Sequence, residues 1–378
     1  MSPARVAVVA CDTYEPAVVD AAVGRAIGLL GGAERFVSAG ERIVLKPNLL
    51  VASTPEKAVT THPSVFAAVA RVLAEAGTML TWGDSPGFGS TAGVGKRAGL
   101  VAEAARLGVR TADFSHGREV PFPEGALIKR FTLAEGVLEA DGLVSLPKLK
   151  THALTRMTGA VKNQFGCIPG MLKGEFHTRM PDVDRFSQML VDLNRLIAPR
   201  LVVMDAVVAM EGNGPRGGDP RHVGVLLVSD DPVAVDALGC RIMNLDPALV
   251  GTVSWGERLG LGSASDIEIL GDELPIFADY VVNRSAASTT GGGIGSPLGK
   301  RLLAPRPFIV SERCTQCGTC VLVCPMEPKA VTFPGGDRSH TPEHDYGLCI
   351  RCYCCQEMCP ERAIEVKTPL LGRLIRRT

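Results

Sequence analysis

Short apolar runs rich in β-branched residues recur along most of the chain and alternate with longer stretches whose alanines, leucines and valines return at helical spacing. The runs predict strands at residues 5–10, 42–46, 79–82, 143–146, 201–204 and 223–228, and the stretches predict helices at 16–30, 63–76, 92–107, 183–197 and 232–243. Strand and helix taking turns in this way are the pattern of βα units. The expected fold class over residues 1–284 is therefore α/β, a mostly parallel sheet with flanking helices. Thr61-His62-Pro63 marks a helix start, with proline in the first turn. In open sheets of this kind ligands sit beyond the carboxyl ends of the strands, so the turns after these strands are where a site is expected.

The pattern stops at residues 285–300, where serine, threonine and glycine dominate and no core can be built, which predicts a linker. Its glycines do not make a nucleotide loop, because no strand leads in and no helical pattern follows. Beyond it, nine of the twelve cysteines fall between Cys314 and Cys359. Cys314, Cys317, Cys320 and Cys324 follow C-x2-C-x2-C-x3-C and are closed by Pro325; Cys349, Cys352, Cys355 and Cys359 repeat the spacing and are closed by Pro360. Two-residue gaps let a tight loop wrap three thiolates onto one cubane while the fourth points to the other. The expected ligand sets are Cys314, Cys317, Cys320 and Cys359 for one [4Fe–4S] cluster, and Cys349, Cys352, Cys355 and Cys324 for a second. Zinc would leave the third cysteine of each run without a role. Residues 301–367 thus read as a small α+β ferredoxin domain of bacterial type with two [4Fe–4S] clusters. Cys354 is expected to be a bystander thiol, and Cys11, Cys167 and Cys240 small buried hydrophobes, with Cys167 the one placed among polar residues.

Composition narrows the partners. The 378 residues carry 40 basic and 40 acidic side chains, and residues 301–367 carry eight of each, so no segment is charged enough to track nucleic acid. No apolar run approaches the roughly 18 residues of a membrane span, and residues 6–11 lack a basic leader and read as a first strand. A cytoplasmic setting, where thiols stay reduced, is expected. The basic tail at 368–378, with Arg373, Arg376 and Arg377, reads as a docking or frayed terminus, or else as a short amphipathic helix that touches a membrane or partner.

Polar clusters follow the expected strands. Lys148, Lys150 and His152 lie just past the fourth, with Lys162, Asn163 and Gln164 in the glycine-bearing segment after them. Three lysines with a histidine at a strand end make an anion pocket, lysine serving as point charge and histidine as proton donor. Lys46 and Asn48, then Asp84 and Ser85, follow the second and third strands and are expected to bind the same anionic substrate or cofactor. Glu211 after the fifth strand is a further candidate, whereas Asp230 and Asp231 before Pro232 read as a helix start. Gly95-Lys96 is no P-loop, since Ser90 and Arg97 break the motif, and neither a flavin nor a nicotinamide fingerprint is present. His62, His152, His177 and His222 lack the local pairing of a metal site.

The strings KPN at 46–48, THP at 61–63, GDSPG at 83–87, LPKLKTH at 146–152, TGAVKNQFG at 158–166, EGNGP at 211–215, SDDPVAVDA at 229–237 and CIRCYCCQEMCP at 349–360 resemble the DUF362 family, often fused to a ferredoxin module, and span essentially the whole chain. The resemblance implies two [4Fe–4S] clusters beside an α/β domain and supplies no reaction. The function expected is an iron–sulfur oxidoreductase: single electrons pass to an anion held by Lys148, Lys150 and Lys162, with His152 giving a proton. An electron carrier or assembly factor without catalysis, and a redox-neutral enzyme with structural clusters, are the alternatives. The redox partner is not named by the sequence.

Overall fold

The computed structural model describes residues 3–290 and 296–375; the glycines at 291–295 of the expected linker and the last arginines of the tail lie outside the described residues. Twelve strands precede the cysteine-rich region: β1 (Ala4–Ala10), β2 (Arg42–Pro47), β3 (Met79–Trp82), β4 (Arg110–Thr111), β5 (Gly117–Pro121), β6 (Arg130–Ala134), β7 (Gly142–Leu146), β8 (Lys148–His152), β9 (Arg156–Thr158), β10 (Leu201–Glu211), β11 (Asp219–Ser229) and β12 (Ile267–Gly271). The central sheet runs β12-β1-β11-β10-β7-β2-β3-β4, with β8 and β9 branching from β10, while β5 and β6 form a separate hairpin. It is mixed and mostly parallel: β11 is antiparallel to β1 and β10, and β9 to β8.

Both faces are buried, as a parallel sheet requires. On β1, Val6 and Val8 enter one apolar cluster and Ala7 and Val9 the other, the period-two alternation of a strand covered on both sides. Helices Val183–Ile197, Pro232–Ile242 and Gly251–Arg258 cover the first face, and Pro16–Leu29, Pro63–Glu75 and Leu100–Arg106 the second. Asp231 caps Pro232–Ile242 through the amides of Val233 and Ala234. Two expectations are corrected. The helix at 92–107 is broken, because Gly99 takes φ +79° and ends Thr91–Arg97 before Leu100–Arg106 starts. The segment 148–152 is not a loop but strand β8, recruited by β10, which is long enough to pair with β7 and then with β8.

The C-terminal region is a small unit in which Arg306–Ile309 pairs with Ile364–Lys367 around the cysteine loops. The tail forms the helix Leu370–Ile375, which packs on Pro297–Leu303. No helix among the described residues is long and apolar enough to cross a membrane.

Candidate functional site

The site begins where β2 and β8 part company. Both β7 and β8 pair with β10, but of these two strands β2 pairs with β7 and not with β8, so the ends of β2 and β8 diverge and leave a gap at the sheet edge. Lys46, one residue before the end of β2, is fully buried, its Nζ 2.7 Å from Asp84 Oδ1 and donating to Asn163 Oδ1 at 3.1 Å. Asn163 closes the short helix Ala160–Asn163 and donates to Ser145 Oγ at 3.0 Å, so helix, strand end and Asp84 turn are tied together. The helix is held in turn by Asp236, whose carboxylate accepts the amides of Ala160 and Val161. Gly166 is obligatory for this closeness: a β-carbon there would run into Asp84 Oδ1 and crowd Lys46 Nζ.

Lys148 and Lys150 on β8 are both sealed from water but differ in company. Lys148 Nζ donates to Asp205 Oδ2 at 2.8 Å and to the Tyr14 hydroxyl at 2.7 Å; Tyr14 in turn donates to Asp205 and stacks on His62 at 3.5 Å. Lys150 Nζ donates to Asn48 Oδ1 at 2.6 Å and to the Val59 carbonyl at 2.7 Å, and among the described residues no carboxylate lies within 4.0 Å of it. Burial pulls the Lys150 pKa well below its ordinary value, with Lys162 and Lys148 adding to the shift. For Lys148 burial also lowers it, and Asp205 works the other way.

The C-terminal unit closes the gap. Its helix Cys354–Met358 docks on the EGNGP turn, where Gln356 Nε2 donates to Asn213 O and Oδ1, both at 2.9 Å, and to Gly214 O at 3.1 Å, while Arg216 donates to Met358 O. Between the two bodies lies a cavity of about 260 Å³ whose walls include Lys46, Asn48, Lys150, Lys162 and Lys173 on one side and Cys354, Glu357 and Met358 on the other. Asp84, Ser85 and Asn163 also line it.

Lys148, His152 and Glu211 are not brought to this cavity. His152 is buried behind it, with Nδ1 accepting the Leu154 amide at 3.0 Å and Nε2 lying 3.0 Å from Glu357 Oε1, an ion-pair distance without hydrogen-bond alignment. Burial, with Lys162 adding, pushes the His152 pKa down to about 4, so the ring is neutral and its remaining proton faces Glu357. Burial alone would raise the Glu357 carboxyl, but His152, Lys162 and His177 outweigh it and hold the pKa at about 2. Glu211 accepts the Val281 amide at 3.0 Å and stands 3.7 Å from Arg221, away from the gap.

Three cavity groups are not among the expected site residues. Lys173, on helix Leu172–Arg179, donates to Ser85 Oγ and Ile168 O, and burial lowers its pKa to about 8. His177 lines the cavity and stacks on Phe186 at 4.6 Å. Thr158 Oγ1 is buried there without a hydrogen-bond partner. A helix of low amphipathicity gives no periodic signal, so only proximity to the TGAVKNQFG string points to Lys173, and His177 carries only the weak signal of a lone histidine.

The cysteines form two rings. Cys314, Cys317, Cys320 and Cys359 surround one cavity of about 20 Å³, and Cys324, Cys349, Cys352 and Cys355 another of about 20 Å³. Each offers the four thiols that a cubane takes. Among the described residues no three His, Cys, Asp or Glu groups converge as they would on a single ion. Cys354 joins neither ring and faces the larger cavity. Cys11, Cys167 and Cys240 are buried elsewhere. Of the histidines, His152 and His177 both approach Glu357, while His62 stacks on Tyr14 and His222 bonds the Asp12 carbonyl.

Comparison with known proteins places these regions. Residues 43–241 match the family described as a domain of unknown function, DUF362, and residues 306–366 match the 4Fe-4S dicluster domain. A thylakoid-associated protein of Synechocystis is 41% identical over 250 residues, 66% of this chain and 77% of that one. The pyruvate synthase subunit PorD of Methanothermobacter marburgensis is 34% identical over 62 residues, 16% of this chain and 65% of that one. Among solved structures, the lactate racemase apoprotein of Thermoanaerobacterium thermosaccharolyticum aligns at a TM-score of 0.40 and 11% identity, over 64% of this chain and 57% of that one. The C-terminal region is thus an iron–sulfur domain of ferredoxin type with an electron-transfer role.

Proposed function

The chain belongs to the DUF362 family, and we propose that this member is an oxidoreductase in which electrons held on two [4Fe–4S] clusters reach an anionic substrate or cofactor in the cavity between the sheet edge and the ferredoxin unit. One observation carries the reading. The helix Cys354–Met358 that walls the cavity also sends Cys355 to one thiol ring and leads directly to Cys359 in the other. A ligand in the cavity therefore touches the segment that holds both rings together.

Cys314, Cys317, Cys320 and Cys359 would hold one cluster and Cys324, Cys349, Cys352 and Cys355 the other, one-electron transfer being what such centres supply. Lys150 and Lys162 bind the anion and stabilise the negative charge that grows on it during reduction. Lys173 is the cavity group whose pKa, about 8, lets it release a proton near neutral pH. His152 positions Glu357 instead of delivering that proton, because it does not reach the cavity. The setting is the cytoplasm, where thiols stay reduced, and the electron donor is a separate redox partner.

Anaerobic purification with iron and sulfide counting, followed by an EPR-monitored redox titration, tests this. The expected result is about eight irons per chain and two centres reducible at low potential, on the order of −400 mV. Cys354→Ser keeps the full iron count. Centres that stay oxidised at every cellular potential would sink the proposal.

A further inference from the structure

The chemistry of the large cavity changes with depth. At its inner end Lys46 and Lys150 are fully buried, and Thr158 presents a buried hydroxyl with no hydrogen-bond partner. At its mouth stand Phe88, Met171 and Leu322, which are 48%, 80% and 63% exposed and come from three separate segments, the last from the ferredoxin unit. Large apolar side chains gathered in water around one opening mark a contact surface.

The charges at the inner end do not cancel. Four lysines, Lys46, Lys150, Lys162 and Lys173, share the cavity wall with two carboxylates, Asp84, which sits 2.7 Å from Lys46, and Glu357, which faces the neutral His152 ring at 3.0 Å. Lys150, Lys162 and Lys173 have no carboxylate within 4.0 Å among the described residues. A buried ammonium without a counter-charge is costly, and burial lowers the pKa of all three. An anion seated among them would remove the imbalance and could give the Thr158 hydroxyl its partner.

We propose that the ligand is an amphiphilic anion: a carboxylate or phosphate head on Lys150, Lys162, Lys173 and Thr158, joined to an apolar body that leaves across Phe88, Met171 and Leu322. A small inorganic anion would make no use of the apolar rim. A purely apolar ligand would leave the excess of lysines over carboxylates on the cavity wall uncompensated. At about 260 Å³ the cavity falls just below the roughly 300–1,000 Å³ of ordinary ligand pockets, so a body of more than a few carbons must run out over the rim. The inference rests on the proposed function only in placing the ligand in the same cavity.

The test is calorimetric binding to the oxidised, cluster-loaded full chain, using n-alkyl carboxylates and n-alkyl phosphates of increasing length below their micellar concentrations, with acetate and inorganic phosphate as the short references. Affinity is expected to rise roughly two- to fourfold per added methylene, fourfold being the limit for full burial, until the chain clears the rim. Comparing the two series identifies the head. Lys150→Met should weaken every member at least tenfold, and Met171→Asp, at a position too exposed to threaten folding, should flatten the length dependence while sparing the short anions.

Acetate or inorganic phosphate binding as tightly as the long members would overturn the proposal, as would an n-alkanol binding as tightly as the matching acid. So would a flat series in a protein whose Met171→Asp variant loses association with anionic lipid vesicles, which would assign the rim to a membrane surface. Because no turnover is needed, failure of electron delivery would leave a length-dependent series intact, and a flat series would leave electron delivery standing.

Discussion

Lys148 and Lys150 stand two positions apart on one strand and are equally sealed from water, yet they belong to different kinds of environment. Lys148 closes a neutralised network with Asp205 and the Tyr14 hydroxyl. Lys150 has only neutral oxygens, from Asn48 and Val59, and opens onto the cavity that the ferredoxin unit completes. A buried lysine with a carboxylate is part of the scaffold; one without is held ready for a charge that arrives from outside.

Removing each lysine should separate the two roles. Lys148→Met leaves Asp205 buried without its cation and is expected to cost about 3–5 kcal/mol in a denaturant melt. Lys150→Met relieves the burial of an uncompensated ammonium while freeing two oxygens, so the same melt should move by about 1 kcal/mol or less. Equal losses would erase the distinction.

Proton linkage sharpens the comparison on the cavity side. The folded-state pKa of Lys173 is lowered to about 8 from its ordinary 10.5, so between those values the unfolded chain binds more protons than the folded one. Stability of the ligand-free protein should therefore rise with pH through that window, the cost of the buried charge being fully present below about pH 8. Anion affinity should run the other way and fall as pH climbs through the window, because the charge that attracts the anion is lost. Calorimetry at a series of pH values reads both, and Lys173→Met should weaken both trends, leaving the share that Lys150 and Lys162 contribute through their own lowered pKa values.

The smallest effect is expected at Glu357, the one carboxylate that the ferredoxin unit contributes to the cavity wall. Glu357→Gln removes a negative charge that competes with the ligand, so anion binding should tighten by about threefold at low salt, with less gain as salt screens the site. Weaker binding in this variant would mean that Glu357 serves the ligand directly.

Much of this arrangement could be read from the residues alone, and the reasons it stopped where it did are physical. Six strands of the central sheet, β1, β2, β3, β7, β10 and β11, are legible from their apolar runs, as at 201–204 and 223–228, where the strands are buried on both faces. Strands β4, β5 and β12 are largely exposed and β8 is charged, so none carries such a run. Lys46, Asn48, Asp84, Ser85, Lys150, Lys162 and Asn163 were legible as polar groups at strand ends, and the fold gathers all seven. Lys148 and His152 carried the same signal but turn to Asp205 and Glu357. That difference depends on partners roughly 60 and 200 positions away, a range over which neither periodicity nor turn chemistry speaks. The wall formed by Cys354, Glu357 and Met358 was hidden for a related reason: cysteine spacing fixes what a ferredoxin module holds, not which side of it docks.

The most direct test of the central claim, that cavity and clusters work together, is the midpoint potential of the reduced centres followed by EPR with and without a saturating anion. Negative charge beside the cysteine rings disfavours adding an electron, so the potential should shift downward in the wild type and stay fixed in Lys150→Met at the same anion concentration. An unchanged potential in a protein shown to have bound the anion, or the same shift in both proteins, would contradict the account.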